Sequence, residues 1–165
     1  MNRRSTFILL MIATAIALAA CAPTAATTPA SNSSPTTTEF IGAKINLNTA
    51  TSDELLATIP GFGSRMVREF QEYRPYISIQ QFRQEIGKYV DAAQIAEYEK
   101  YVYVPITIND SDSASLQQIP GLDATETETL MAGRPYASTD AFLSKLSEFV
   151  STTELKIAKS YLDGN

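Results

Sequence analysis

The later part of the chain contains one sequence twice, and this restricts the fold to two copies of a single small unit. The stretch 59-IPGFGSRMVREFQEYRPYISIQQFRQEIGKYV-90 aligns without gaps on 119-IPGLDATETETLMAGRPYASTDAFLSKLSEFV-150. Ile59, Pro60, Gly61, Arg74, Pro75, Tyr76, Ser78, Phe82, Val90 and Tyr101 recur, sixty positions on, as Ile119, Pro120, Gly121, Arg134, Pro135, Tyr136, Ser138, Phe142, Val150 and Tyr161. The lead-ins 45-INLN-48 and 106-ITIN-109 also match, with one extra residue in the first copy.

Each copy reads as four short helices. Thr51 and Glu54 stand at capping-box spacing, and Leu55, Leu56 and Ile59 supply an apolar side. Pro60-Gly61-Phe62-Gly63 interrupts the chain, and a second helix follows from about Ser64 to Tyr73, with Met66, Val67, Phe70 and Tyr73 at core spacing. Arg74-Pro75-Tyr76 ends it, because the residue before proline is pushed out of the helical region. Ser78 and Gln81 cap a third helix carrying Phe82 and Ile86. Asp91 opens a fourth, which places Ile95, Tyr98 and Val102 inward. The second copy repeats the plan, with Asp123/Glu126 and Ser151/Glu154 at capping-box spacing and Gly133 at a helix C-terminus. Ile45/Leu47 and Ile106/Ile108 alternate with polar residues, as short extended lead-ins do. The expected fold is all-α, two tandem units over residues 44–105 and 106–165.

The N-terminus follows another grammar. Arg3 and Arg4 precede an apolar run from Phe7 to Leu18 broken only by Thr14, which is too short for the roughly 20 apolar residues of a spanning helix. It ends in Leu18-Ala19-Ala20-Cys21, which resembles the lipobox of bacterial lipoproteins. Residues 1–20 are therefore expected to be an export signal. Cys21, the only cysteine, is expected to carry diacylglycerol and fatty acyl chains such as palmitate, anchoring an extracytoplasmic protein to the cell membrane or outer membrane. A lone thiol has no intramolecular disulfide partner, and lipidation gives it a use. Residues 21–43 are rich in Thr, Ser, Pro and Ala, with little to bury, and read as a disordered tether averaging ~25 Å and reaching at most ~65 Å.

Charge narrows the function. Removing Arg3 and Arg4 with the signal leaves 11 basic and 18 acidic residues, a net charge of about −7, which opposes general attraction to polyanions. With no histidine and one cysteine, the usual zinc, haem and Cys-His arrangements are missing. No nucleophile–base pair stands out, so neither a catalytic residue nor a cofactor or metal is expected.

The segment 45-INLNTATSDELLATIPGFGSRMV-67 resembles the ComEA-type helix-hairpin-helix family, extracytoplasmic proteins that capture DNA. The resemblance covers about 120 of the 165 residues, the first unit better than the second. It implies weak binding of double-stranded DNA through the backbone, insensitive to sequence, at Gly61, Phe62, Gly63, Ser64, Arg65 and Arg68. Gly61 and Gly63 adopt backbone angles closed to other residues and let a ligand approach the main chain. Phe62 points inward and pins the loop. The free N–H groups at the start of the second helix, with its positive dipole end, suit a phosphate flanked by Arg65 and Arg68.

The second copy departs from this pattern. Asp123 replaces the glycine equivalent to Gly63, and Thr125 and Glu128 replace the two arginines. Residues 41–105 hold 7 basic and 8 acidic residues, whereas residues 106–165 hold 4 and 9. The other turn of each unit, 84-QEIGKYVD-91 or 144-SKLSEFVS-151, is no phosphate loop. A reading from another class stays open: a structural module that binds an envelope protein and has lost DNA. Six of the eight tyrosines, at 73, 76, 89, 98, 101 and 103, lie in the first unit. Packing is their expected role, and a shared turn with a buried Tyr and a carbonyl-bonding Arg is expected of the two Arg-Pro-Tyr triplets.

Overall fold

A computed structural model describes residues 43–162, which belong to one compact unit, Glu39–Asn165; the expected export signal, the expected lipidation site Cys21 and the expected tether up to Gly42 lie outside the described residues. The first copy contains α1 (Ser52–Thr58), α2 (Ser64–Glu72), α3 (Ile79–Ile86) and α4 (Ala92–Tyr98). The second contains α5 (Ser113–Leu116), α6 (Ala124–Ala132), α7 (Thr139–Leu146) and α8 (Thr152–Leu162). Two short strands, β1 (Ile45–Asn46) and β2 (Val102–Tyr103), pair in parallel, Ile45 opposite Val102.

The described chain is thus mostly helical, and all but one of its described helices begin where a side chain caps them. Thr51 and Glu54 form a complete capping box on α1, as Asp123 and Glu126 do on α6. Ser78 and Asp91 cap α3 and α4 by accepting the N–H of Gln81 and of Gln94. Ser138 and Asp112 do the same for α7 and α5.

Two placements differ from those expected. Val102 is buried but stands on β2, because α4 stops at Tyr98 and the lead-in claims the following backbone. The Ile45 N–H donates to the Tyr101 carbonyl and the Leu47 N–H to that of Tyr103, both at 2.9 Å. The second copy repeats the first of these bonds, Ile106 N–H to Tyr161 O, at 3.0 Å. Leu56, assigned to the apolar side of α1, is 42% exposed, whereas Leu55 beside it is fully buried. Adjacent helical residues diverge by about 100°, so a seven-residue helix packed on one side hides only one of them.

The Asn that closes each lead-in holds the copy together. Asn48 donates to the Tyr76 carbonyl at 2.9 Å and accepts the Tyr76 N–H at 2.8 Å. Asn109 makes the same two bonds to Tyr136, at 3.1 and 2.8 Å. Arg74 donates to the Ala50 carbonyl and Arg134 to that of Ile108, so both Arg-Pro-Tyr triplets form a structural turn with a carbonyl-bonding Arg and a cis Arg-Pro bond, but only Tyr76 is buried as expected, Tyr136 being half-buried. The tyrosine hydroxyls differ as well. Tyr136 donates its hydroxyl to the Leu130 carbonyl, in the room that Gly133 leaves; a Cβ on Gly133 would stand 2.6 Å from that hydroxyl. Tyr73 occupies the equivalent place in the first copy, and the buried Tyr76 hydroxyl finds no protein partner.

Each copy has its own core. Leu55, Phe70, Phe82 and Ile86 centre the first, and Leu116, Leu130, Phe142 and Leu146 the second, all fully buried. Shared contacts join them: Tyr103 sits in the second core and stacks on Tyr161 with ring centroids 4.2 Å apart. The buried Ser115 at the end of α5 accepts the Ile79 N–H at the start of α3.

Candidate nucleic-acid interface

The turn between α1 and α2 is built around one aromatic side chain. Phe62 is 8% exposed and meets Phe70 and Tyr98 edge to face, with centroids 4.7 and 5.2 Å apart. With Phe62 inside, Gly61 and Gly63 are left at the surface. Gly61 has φ +68°, a left-handed backbone that favours glycine. Gly63 does not: its φ of −107° and ψ of 157° are ordinary extended backbone, which corrects the expectation for that residue. Its value lies elsewhere. Neither glycine would bring a Cβ within 4 Å of any atom, so the main chain is bare from the loop into the helix.

Gly63 is the N-cap of α2 and provides no side-chain cap. Among the described residues, the N–H groups of Ser64, Arg65 and Met66 have no hydrogen-bond acceptor. A helix normally satisfies these donors with a side chain, water or a ligand. Ser64, Arg65 and Arg68 are exposed, and neither arginine forms an ion pair within the described residues. The half-buried Glu69 and exposed Glu72 follow on the same helix. All six residues expected at the site are thus in one stretch of turn and helix, Phe62 inside and the rest outside.

The second hairpin keeps the turn and fills it. Gly121 has φ +80° and Leu122 is buried like Phe62. Asp123 accepts the Glu126 N–H at 2.8 Å, and Glu126 accepts the Asp123 N–H at 3.0 Å. The donors that are free in α2 are therefore partly used in α6, by groups that repel an anion.

Residues from α4 and the segment just after it complete the neighbourhood. Gln94, Glu97, Tyr98 and Tyr101 line a shallow hollow with Ile59 and Pro60, against the turn. Nothing in the lead-in pointed to them, since only the packing of α4 brings them to the turn. The tyrosines at 76, 98 and 103 are buried and those at 73, 89 and 101 half-buried, so packing accounts for them. Among the described residues no group of three or more His, Cys, Asp or Glu is placed to hold a metal, and no helix is long and apolar enough to cross a membrane. Comparison with family models, with curated proteins and with solved structures gives no match to this chain.

Proposed function

We propose that this protein is an exported lipoprotein, lipid-anchored through Cys21, that binds double-stranded DNA by its phosphate backbone at the first of two helix-hairpin-helix units. The observation that carries the reading is the bare start of α2: three N–H groups without acceptors behind Gly63, with Arg65 and Arg68 exposed on the helix. Phosphate supplies what those donors and charges lack. Backbone contacts carry no sequence information, so binding is indifferent to sequence. The acidic chain and the filled second hairpin keep it weak. Asn48 plays a structural role in this reading, because both ends of its side chain are spent on the Tyr76 backbone.

The test is fluorescence anisotropy of a labelled duplex at about 50 mM salt, titrated with residues 39–165, which contain both cores. Wild type is expected to bind, with log affinity falling against log salt at a slope of roughly −2 to −4 for two to four phosphates. Arg65→Glu with Arg68→Glu is expected to abolish binding. No binding by wild type at ~100 µM, or equal binding by the double variant, removes this reading in favour of a module that docks an envelope protein.

A further inference from the structure

The two hairpins differ at a residue outside either hairpin. In the second copy Glu154, on α8, lays its carboxylate against the turn: a Cβ added to Gly121 would meet Glu154 Oε1 at 2.6 Å and Oε2 at 2.8 Å. That carboxylate is fixed by the Ser151 N–H, which it accepts at 2.7 Å. The equivalent position in the first copy, sixty residues earlier, is Gln94 on α4. Gln94 is exposed and lines the hollow beside Pro60, and a Cβ on Gly61 would meet nothing within 4 Å.

From this contrast we infer that the residue at position 94 or 154 gates the neighbouring hairpin: glutamine leaves the turn open to an anion, and glutamate occupies it. Asp91 caps α4 as Ser151 caps α8, so a carboxylate at residue 94 has the same helix start to reach back to. Its negative charge would then lie beside Gly61. Glu97 also lines the hollow, but its carboxylate is paired with Lys100 at 2.6 Å and has not closed the turn. The second hairpin is shut twice over, by Asp123 at the helix start and by Glu154 at the loop. The consequence for duplex affinity rests on the DNA reading above; the occupancy of the turn does not.

Two measurements on residues 39–165 separate these. In proton NMR, the Gly121 Hα is expected to show a titration step that Glu154→Gln reduces, leaving only the contribution of Asp123 and Glu126 at the helix start. Gln94→Glu is expected to add such a step at the Gly61 Hα. In duplex binding at about 50 mM salt, Gln94→Glu is expected to weaken affinity by about three- to tenfold, the effect of one added charge several ångströms from a phosphate in a largely aqueous setting. The deficit shrinks as salt rises. An unchanged Gly61 in Gln94→Glu, or a Gly121 step of wild-type size in Glu154→Gln, overturns the gate. Wild type that binds duplex no better than Gln94→Glu overturns its role in affinity. Titration steps as expected with no duplex binding by wild type uphold the gate and remove DNA as its ligand.

Discussion

Asn48 and Asn109 show at single-residue scale why the repeated positions are structural. Each spends an amide donor and a carbonyl acceptor on one tyrosine backbone across about 27 residues of chain. Removing the side chain leaves a partly buried N–H and C=O unpaired. Asn48→Ala is therefore expected to cost about 1–3 kcal/mol of unfolding free energy, with a similar loss for Asn109→Ala. Urea denaturation of residues 39–165 checks this, and a loss below ~0.5 kcal/mol at both sites would contradict the clasp. The residues that differ between copies carry the contrast in charge and helix capping instead: Gly63 against Asp123, Arg65 against Thr125, Arg68 against Glu128. That division was partly legible in the sequence. Phe62 is buried as its position in Pro-Gly-Phe-Gly implies, while Gly63 turns out to need no unusual backbone, because a glycine N-cap can serve access as well as angle.

At the scale of elements, every helix start among the described residues but that of α2 has a polar side chain at its N-cap. Capping is local in sequence, which is why helix starts were readable from residue spacing. The parallel pairing of Ile45 with Val102 was not, because it joins residues far apart in sequence in a ladder of two residues. The approach of Glu154 to Gly121 was hidden for the same reason: it depends on how α8 docks. The α1 cap also makes a pH prediction. The Thr51 N–H and hydroxyl hold the Glu54 carboxyl below its ordinary range. A pKa lower in the folded state adds stability above the unfolded value of about 4.3, and that contribution is lost as pH falls through the folded value. Glu54→Gln should therefore melt below wild type at pH 7, with the gap closing as pH falls below about 4. An equal gap at pH 7 and pH 3 would show that the charge is not involved.

The whole molecule consists of two cores joined by shared parts. Phe82 and Phe142 are fully buried at equivalent places, and truncating either to Ala is expected to cost about 3–5 kcal/mol. For units this small such a loss is a large share of total stability. Because Tyr103 leaves the first copy to pack in the second core, and Ser115 receives the first turn of α3, either truncation should lower a single cooperative transition. Two separate melts in scanning calorimetry of Phe142→Ala, one unshifted from wild type, would show that the copies are thermodynamically independent. One hairpin of the two is proposed to bind phosphate. The most direct test is a nitrogen–proton correlation spectrum of residues 39–165 titrated with a short duplex at low salt. The amides of Gly61, Gly63, Ser64, Arg65 and Met66 are expected to shift in proportion to bound duplex, while Gly121, Asp123 and Glu126 stay in place. Shifts spread equally over both hairpins, or confined to residues outside the first, would contradict it.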